Sequence, residues 1–295
     1  VSGVRLVVAL PGSEHLGADL AARLDAELGV VETRQFPDGE SYVRVRSDVA
    51  GREVVLVCTL ARPDAQFLRL VFTAGTLREL GAARITLVAP YLAYMRQDKR
   101  FLPGEAVTSS LFADLLSREV DRLVTVDPHL HRHKALSEIY AIPALALHAA
   151  PLLADWIAAN VTDPLIVGPD IESEQWVGEV ARRAGAPHLV LLKERYGDRS
   201  VEVAIPDLAR WAGRQPVLID DIVSSGRTMI ETARGLRAQG LPAPVCVTVH
   251  ALFAEDAFAE LSKLASRVVS TDAVPHPSNA IPIGGLVAEA LKTGL

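Results

Sequence analysis

The chain has 295 residues and a formal net charge of −6. That length allows two domains, and that charge lacks the basic excess of a nucleic-acid footprint. A hydrophobic fraction of 49% and a charged fraction of 22% suit a globular protein with a sizeable core. The only two cysteines, Cys58 and Cys246, each lie in an apolar run and read as buried, reduced thiols of a cytoplasmic protein.

The first predicted element is a short strand, "VRLVVAL", with no cleavage-like end, so no signal peptide is expected. "SEHLGADLAARLDAEL" follows as a helix. Leu16, Leu20, Leu24 and Leu28 share one face at i, i+4 spacing, and Ser13 is the expected N-cap. Further apolar runs recur along the chain: "EVVLVCTL", "RITLVAP", "RLVTVDP", "PLIVGPD", "HLVLLKE", "PVLIDDI" and "PVCVTVHAL". Between them lie helical patterns such as "AQFLRLVFTAGTLREL" and "SSGRTMIETARGLRAQG", the latter ending on Gly240. Strands that are apolar throughout suit a parallel sheet buried on both faces, and strand–helix alternation predicts an α/β fold with right-handed crossovers.

The longest apolar stretch, residues 141–159, is broken by two prolines, a histidine and an aspartate. It therefore reads as a domain boundary rather than a membrane span. A strand–aspartate–loop–helix layout precedes it ("LVTVDPHLH") and follows it ("PVLIDDIVSSG"), which predicts two similar α/β domains, residues 1–146 and 147–295.

The most informative stretch is "PVLIDDIVSSGRTM", residues 216–229. An apolar run enters two adjacent aspartates, and a small-residue loop leads into a helix. Ligands of open α/β sheets bind at the carboxyl ends of strands. Ser224, Ser225, Gly226, Arg227 and Thr228 offer successive N–H groups and hydroxyls that suit a phosphate monoester. Asp220 and Asp221 would repel that phosphate, but they accept hydrogen bonds from sugar hydroxyls or face a divalent cation. The whole pattern predicts a sugar-phosphate site; a bare Asp-Asp pair would equally be an acidic turn capping a helix.

This stretch resembles the phosphoribosyl diphosphate (PRPP) signature of type I phosphoribosyltransferases and of ribose-phosphate diphosphokinases, the PRPP synthetases. The resemblance implies two tandem type I phosphoribosyltransferase-like domains, each a mostly parallel sheet flanked by helices. Other stretches, in the family's order, favour the diphosphokinases. "FPDGESYVR" is similar to their Phe-x-Asp-Gly-Glu loop, which implies Phe36, Asp38 and Glu40 at the adenine of ATP; an isolated stretch of this kind is also an ordinary strand-edge turn. "PYLAYMRQDKR" resembles their Pro-Tyr-x-x-Tyr-x-Arg-Gln-Asp segment and implies ATP contacts for Arg96 and Gln97, Arg96 through the phosphates. "VTVDPHLHRH" resembles their Val-Asp-x-His, which places His129 near magnesium and ATP with Asp127 beside it. His131 and His133 read as incidental surface histidines, since a zinc site would call for neighbouring cysteines. "IVGPDIES" implies Asp170 as a magnesium or ribose 5-phosphate partner, and "VLLKERYGD" matches the Lys-x-Arg of the family's catalytic loop, giving Lys193 and Arg195.

The resemblance also implies Mg2+, ATP and ribose 5-phosphate as ligands, no nucleic acid or membrane partner, and a homo-oligomer with a dimer as its minimal unit. Three features depart from the family pattern. Ser224 stands where an acidic residue is usual, and Arg227 where glycine is usual. Ile171, Glu172 and Ser173 replace paired glycines after Asp170. "KRFLPGEAVTSS" is closer to the archaeal form of the family. These departures leave open the sugar-phosphate acceptor and any allosteric phosphate or ADP site. A phosphoribosyltransferase, a non-catalytic regulatory paralogue and a diphosphokinase acting on another pentose phosphate remain alternatives.

Overall fold

The computed structural model describes residues 5–130, 132–170, 173–196, 200–204 and 208–294. It divides into two compact units, Val1–Leu147 with Gly284–Leu295, and His148–Ile283.

The first unit runs β1 (Leu6–Ala9), α1 (Glu14–Leu24), β2 (Glu27–Gly29), β3 (Val31–Gln35), β4 (Ser41–Val45), β5 (Glu53–Val57), α2 (Pro63–Glu79), β6 (Arg84–Ala89), α3 (Thr108–Glu119), β7 (Arg122–Val126) and β8 (Ala144–Leu147). The second runs α4 (Ala150–Asn160), β9 (Pro164–Gly168), α5 (Glu174–Ala184), β10 (His188–Val190), β11 (Leu192–Tyr196), β12 (Ser200–Ala204), β13 (Gln215–Val223), α6 (Arg227–Ala238), β14 (Val245–Ala251), α7 (Ala257–Leu264), β15 (Arg267–Thr271) and β16 (Asn279–Ile281). A last helix, α8 (Gly284–Thr293), returns to the first unit.

Each unit holds a six-stranded sheet, ordered β2-β1-β5-β6-β7-β8 in one and β10-β9-β13-β14-β15-β16 in the other. Counted in chain order, both are strand 2-1-3-4-5-6, and the pairings β1–β5, β5–β6, β9–β13 and β13–β14 are all parallel. Each unit also inserts an antiparallel hairpin between its second and third sheet strands, β3–β4 and β11–β12. The expected two-domain α/β fold with parallel sheets flanked by helices is thus borne out. The apolar runs form the sheet centres: Val7, Leu56, Leu87 and Val124 in one unit and Ile166, Leu218 and Val247 in the other are all fully buried.

Three local expectations change. The first helix stops at Leu24, because Asp25 takes a left-handed conformation (φ 50°) and its N–H donates back to the helix's last turn. Leu28 therefore lies in edge strand β2, 48% exposed, instead of on the helix's apolar face. Ser13 is the N-cap residue of α1, as expected, but its side chain makes no cap bond; its Oγ accepts from the Thr59 N–H at 2.9 Å and ties the end of β1 to the chain after β5. Helix α8, placed with the second domain in the sequence reading, packs on α1 and buries Val287, Ala288 and Leu291.

Candidate active site

The sheet order of the second unit reverses at β9, where β10 lies on one side and β13 on the other. In open α/β sheets the crevice at such a reversal, outside the carboxyl ends of the strands, is where ligands bind. Asp170 follows β9, and Asp220 and Asp221 lie near the end of β13, with Asp220 paired to Thr248 of β14. The Asp221 N–H donates to Asp220 Oδ1 at 3.0 Å, the Ile222 N–H to Asp221 Oδ1 at 2.8 Å, and the Thr248 hydroxyl to the Asp221 carbonyl at 3.3 Å. Burial, then the Asp221 carboxylate, then the more distant Asp170 charge push the Asp220 carboxyl well above the ordinary carboxylate range. Asp220 is thus the member of this acidic cluster on which burial and the two neighbouring carboxylates act together.

The loop after β13 leads directly into α6. Ser225 is exposed, Ser224 and Thr228 are half-buried, and Gly226 is buried with φ 66° at the N-cap of α6. A Cβ on Gly226 would lie 3.2 Å from Ala257 Cβ, so the turn and the close approach both call for glycine. The N-cap residue of α6 is Gly226, which has no side chain to cap it, and helix starts of this kind suit anions. Arg227 is exposed and lines, with Ser225, Arg234 and Glu260, an open cleft of about 460 Å3 along α6 and α7.

Lys193 and Arg195 lie in β11, opposite Val203 and Val201 of β12. His131, Ile171 and Glu172 fall outside the described residues, as do residues 197–199. Ser173 bonds back to the Asp170 carbonyl through its hydroxyl at 2.6 Å.

In the first unit, the segments after neighbouring strands β6 and β7 meet. Arg96 is exposed and Gln97 half-buried; the Gln97 carbonyl accepts from the Ser109 N–H of α3 at 3.3 Å. Asp98, whose side chain is only 7% exposed, pairs with Arg132 at 3.2 Å and so ties this segment to the one carrying Asp127 and His129. Asp127 is buried at the end of β7 in a left-handed conformation (φ 36°), and half-buried His129 follows two residues later. Tyr94 is also left-handed (φ 60°), and its hydroxyl donates to Asp64 of α2, which lifts its pKa to about 12. Positive φ at two non-glycine residues beyond the carboxyl ends of β6 and β7 marks strain that the surroundings must hold.

Phe36, Asp38 and Glu40 form the exposed tip of the β3–β4 hairpin. The Glu40 N–H donates to Asp38 Oδ1 at 3.2 Å, and the Phe36 N–H to the Glu40 carbonyl at 2.8 Å. The Arg34 guanidinium lies 4.3 Å from the Phe36 ring centre and 4.3 Å from that of Tyr42. The partners shown for Phe36, Asp38 and Glu40 all lie within the hairpin.

Residues 6–119 match the family model of the N-terminal domain of ribose phosphate pyrophosphokinase, and residues 135–282 match that of the phosphoribosyl transferase domain. The ribose-phosphate pyrophosphokinase of Methanopyrus kandleri is 36% identical over 292 residues, spanning 97% of this chain and 98% of the relative. The chain belongs to the ribose-phosphate pyrophosphokinase family, whose members are diphosphotransferases. The Methanothermobacter thermautotrophicus member is 34% identical over 97% of this chain and 100% of its own length. The crystal structure of phosphoribosylpyrophosphate synthetase from Mycobacterium smegmatis shares the fold, with a TM-score of 0.84 over 98% of each chain at 24% identity.

Within this family frame, two structural pairings escaped the sequence reading. Asp98–Arg132 joins residues whose motifs were recognised separately, and its only sequence signal is that both lie in such motifs. The contact of Phe253 with His276, at 4.8 Å between ring centres, has no local signal at all.

Proposed function

We propose that this chain transfers the diphosphoryl group of ATP to the anomeric hydroxyl of ribose 5-phosphate, giving PRPP and AMP for nucleotide biosynthesis. The observation that carries the reading is the clustering of Asp170, Asp220 and Asp221 at the strand-order reversal, beside the start of α6 behind Gly226. The 5-phosphate takes the N–H groups and hydroxyls of Ser224, Ser225, Gly226 and Thr228. The ribose hydroxyls take Asp220 and Asp221. Arg227 adds positive charge at the mouth of the same loop.

The anomeric oxygen bonds to the β-phosphorus as the bond between that phosphorus and the α,β-bridging oxygen breaks. AMP departs with the bridging oxygen, and the hydroxyl proton leaves to solvent. Lys193 and Arg195 neutralise the charge that builds on the transferring group. Arg96 and Gln97 hold ATP, Arg96 by its phosphates, and the Phe36, Asp38 and Glu40 tip receives the adenine. Positioning of both substrates supplies much of the rate.

Mg2+ fits the donor set. It binds through one or two carboxylates together with substrate phosphates and needs no preformed protein cage. Among the described residues no group of three or more His, Cys, Asp or Glu is placed to hold a metal alone. The residues that would serve as Mg2+ ligands are Asp170 in the second unit, whose charge acts on Asp220, and, in the first unit, Asp127 with His129; a bound ion would neutralise diphosphate charge.

A homo-oligomer, with a dimer as its minimal unit, is part of the same reading. It is supported by exposed apolar pairs one turn apart, Leu68 (53%) and Phe72 (45%) on α2 and Leu111 (59%) and Leu115 (46%) on α3. The reaction belongs in the cytoplasm, in keeping with the free, buried Cys58 and Cys246. The test is AMP formation from ATP and Mg2+ with each of several pentose phosphates. AMP that requires ribose 5-phosphate supports the reading. Pyrophosphate release from PRPP and a purine or pyrimidine base, without AMP formation from ATP, would replace it with a phosphoribosyltransferase.

A further inference from the structure

We propose that His276 is a positioning residue for the sugar-phosphate loop, acting through Phe253 on the backbone of Val223 and Ser224. The inference rests on the assignment of residues 220–228 to ribose 5-phosphate.

The segment after β14 backs that loop directly. The Phe253 N–H donates to the Val223 carbonyl at 2.9 Å, and the Ala254 N–H donates to the Ser224 carbonyl at 2.9 Å. The same segment ends at Ala257, the residue that approaches Gly226. Wherever residues 253–257 move, the loop's backbone must follow.

That backing segment is itself strained. Phe253 (φ 27°) and Glu255 (φ 53°) are both left-handed non-glycine residues, a state that persists only when neighbours enforce it. The Phe253 ring is enforced by two others. His276 stacks on it at 4.8 Å with an interplanar angle of 34°, and Phe258 of α7 meets it at 5.2 Å. Phe258 also meets the His276 ring edge-on at 4.6 Å, which closes a three-ring cluster.

His276 is in turn fixed from the sheet. The Ser278 N–H donates to His276 Nδ1 at 3.2 Å, so Nδ1 is an acceptor and the ring is the Nε2–H tautomer. The Ser278 hydroxyl, 2.7 Å from Nδ1, must then donate to it. Ser270 Oγ lies 2.7 Å from Ser278 Oγ, and Asn279 Nδ2 donates to Ser270 Oγ at 2.9 Å. The bonds therefore run one way, from Asn279 through Ser270 and Ser278 to His276. Ser270 is fully buried and Ser278 is 6% exposed, so water competes poorly with the chain. Burial lowers the His276 pKa, which keeps the ring in the neutral state that the chain requires. Nothing in this network touches the reacting atoms; its effect is to hold Phe253.

The test is the steady-state kinetics of His276→Ala, Ser278→Ala and His276→Phe in the full chain, with melting temperatures alongside. His276→Ala is expected to raise KM for ribose 5-phosphate about two- to tenfold, the range that an aromatic contact supports. KM for ATP and kcat should stay within about twofold of wild type on the positioning account. Ser278→Ala should move the same KM by less, and His276→Phe, which keeps a ring on Phe253, should restore most of the loss. If His276→Ala fails to fold, the other two variants carry the comparison. Unchanged KM for ribose 5-phosphate, or equal rises for both substrates, would overturn the proposal while the wild type still turns over. A wild type that neither forms AMP nor binds ribose 5-phosphate in calorimetric titration would instead overturn the loop assignment, and the inference with it.

Discussion

Gly226→Ala tests the loop at its tightest point. Gly226 has φ 66° and ψ −1°, and a new Cβ would meet Ala257 Cβ at 3.2 Å and Ile230 Cδ1 at 3.5 Å. Left-handed backbone costs a non-glycine residue about 1–2 kcal/mol, and the crowding against Ala257 adds on the order of 1 kcal/mol. The expected destabilisation is therefore about 2–3 kcal/mol, a fall in Tm of about 4–12 °C at roughly 2–4 °C per kcal/mol. If the loop shifts to relieve about half of that strain, KM for ribose 5-phosphate rises about tenfold. Thermal melts and initial rates against ribose 5-phosphate read the two effects separately. Gly75→Ala is the control: Gly75 lies inside α2, and its new Cβ would meet nothing within 4 Å. It should gain about 0.5–1 kcal/mol from helix propensity. A Gly226→Ala protein with wild-type Tm and wild-type KM would refute the argument that this turn needs glycine.

Three further outcomes follow from the same geometry. Because the folded chain holds the Asp220 proton more tightly than the unfolded chain, this group's contribution to stability falls as pH rises from about 4, the unfolded carboxyl value, through its folded value. Asp220→Asn should therefore melt above wild type at about pH 8, and its advantage should vanish toward about pH 4; a constant difference across that range would contradict the buried-charge account. Arg195→Ala should lower kcat by about 10²–10³ with little change in ATP binding, as for a group that acts mainly in the transition state; a loss confined to ATP affinity would reassign the residue. Leu291→Ala should cost about 2–4 kcal/mol in a denaturant titration, since Leu291 is buried on α8, the helix that packs on α1; no loss would mean that α8 contributes little to the first unit.

The central strands β1, β5, β6, β7, β9 and β14 were legible because each is a largely apolar run with most of its residues buried. Edge strands β2 and β16 have three residues each, too few to show a period, and the run "HLVLLKE" splits between β10 of the sheet and β11 of the hairpin. Leu28 is instructive here. Its spacing extends a helix that Asp25 has already ended, and periodicity alone cannot see that cap. Chain order alone assigns the last residues to the second domain, whereas α8 belongs with the first unit. At the site, residues 220–228 were legible together because one turn places them. The Asp98–Arg132 pair and the Phe253–His276 stack join segments 34 and 23 positions apart through packing, and short-range spacing carries no trace of them.

The most direct test of the account is the fate of the β-phosphorus. Given ATP labelled with 32P at the β position, Mg2+ and ribose 5-phosphate, the account predicts label in PRPP and unlabelled AMP, in equal amounts. Label that stays with the nucleotide as ADP, or AMP that forms without ribose 5-phosphate, would contradict diphosphoryl transfer.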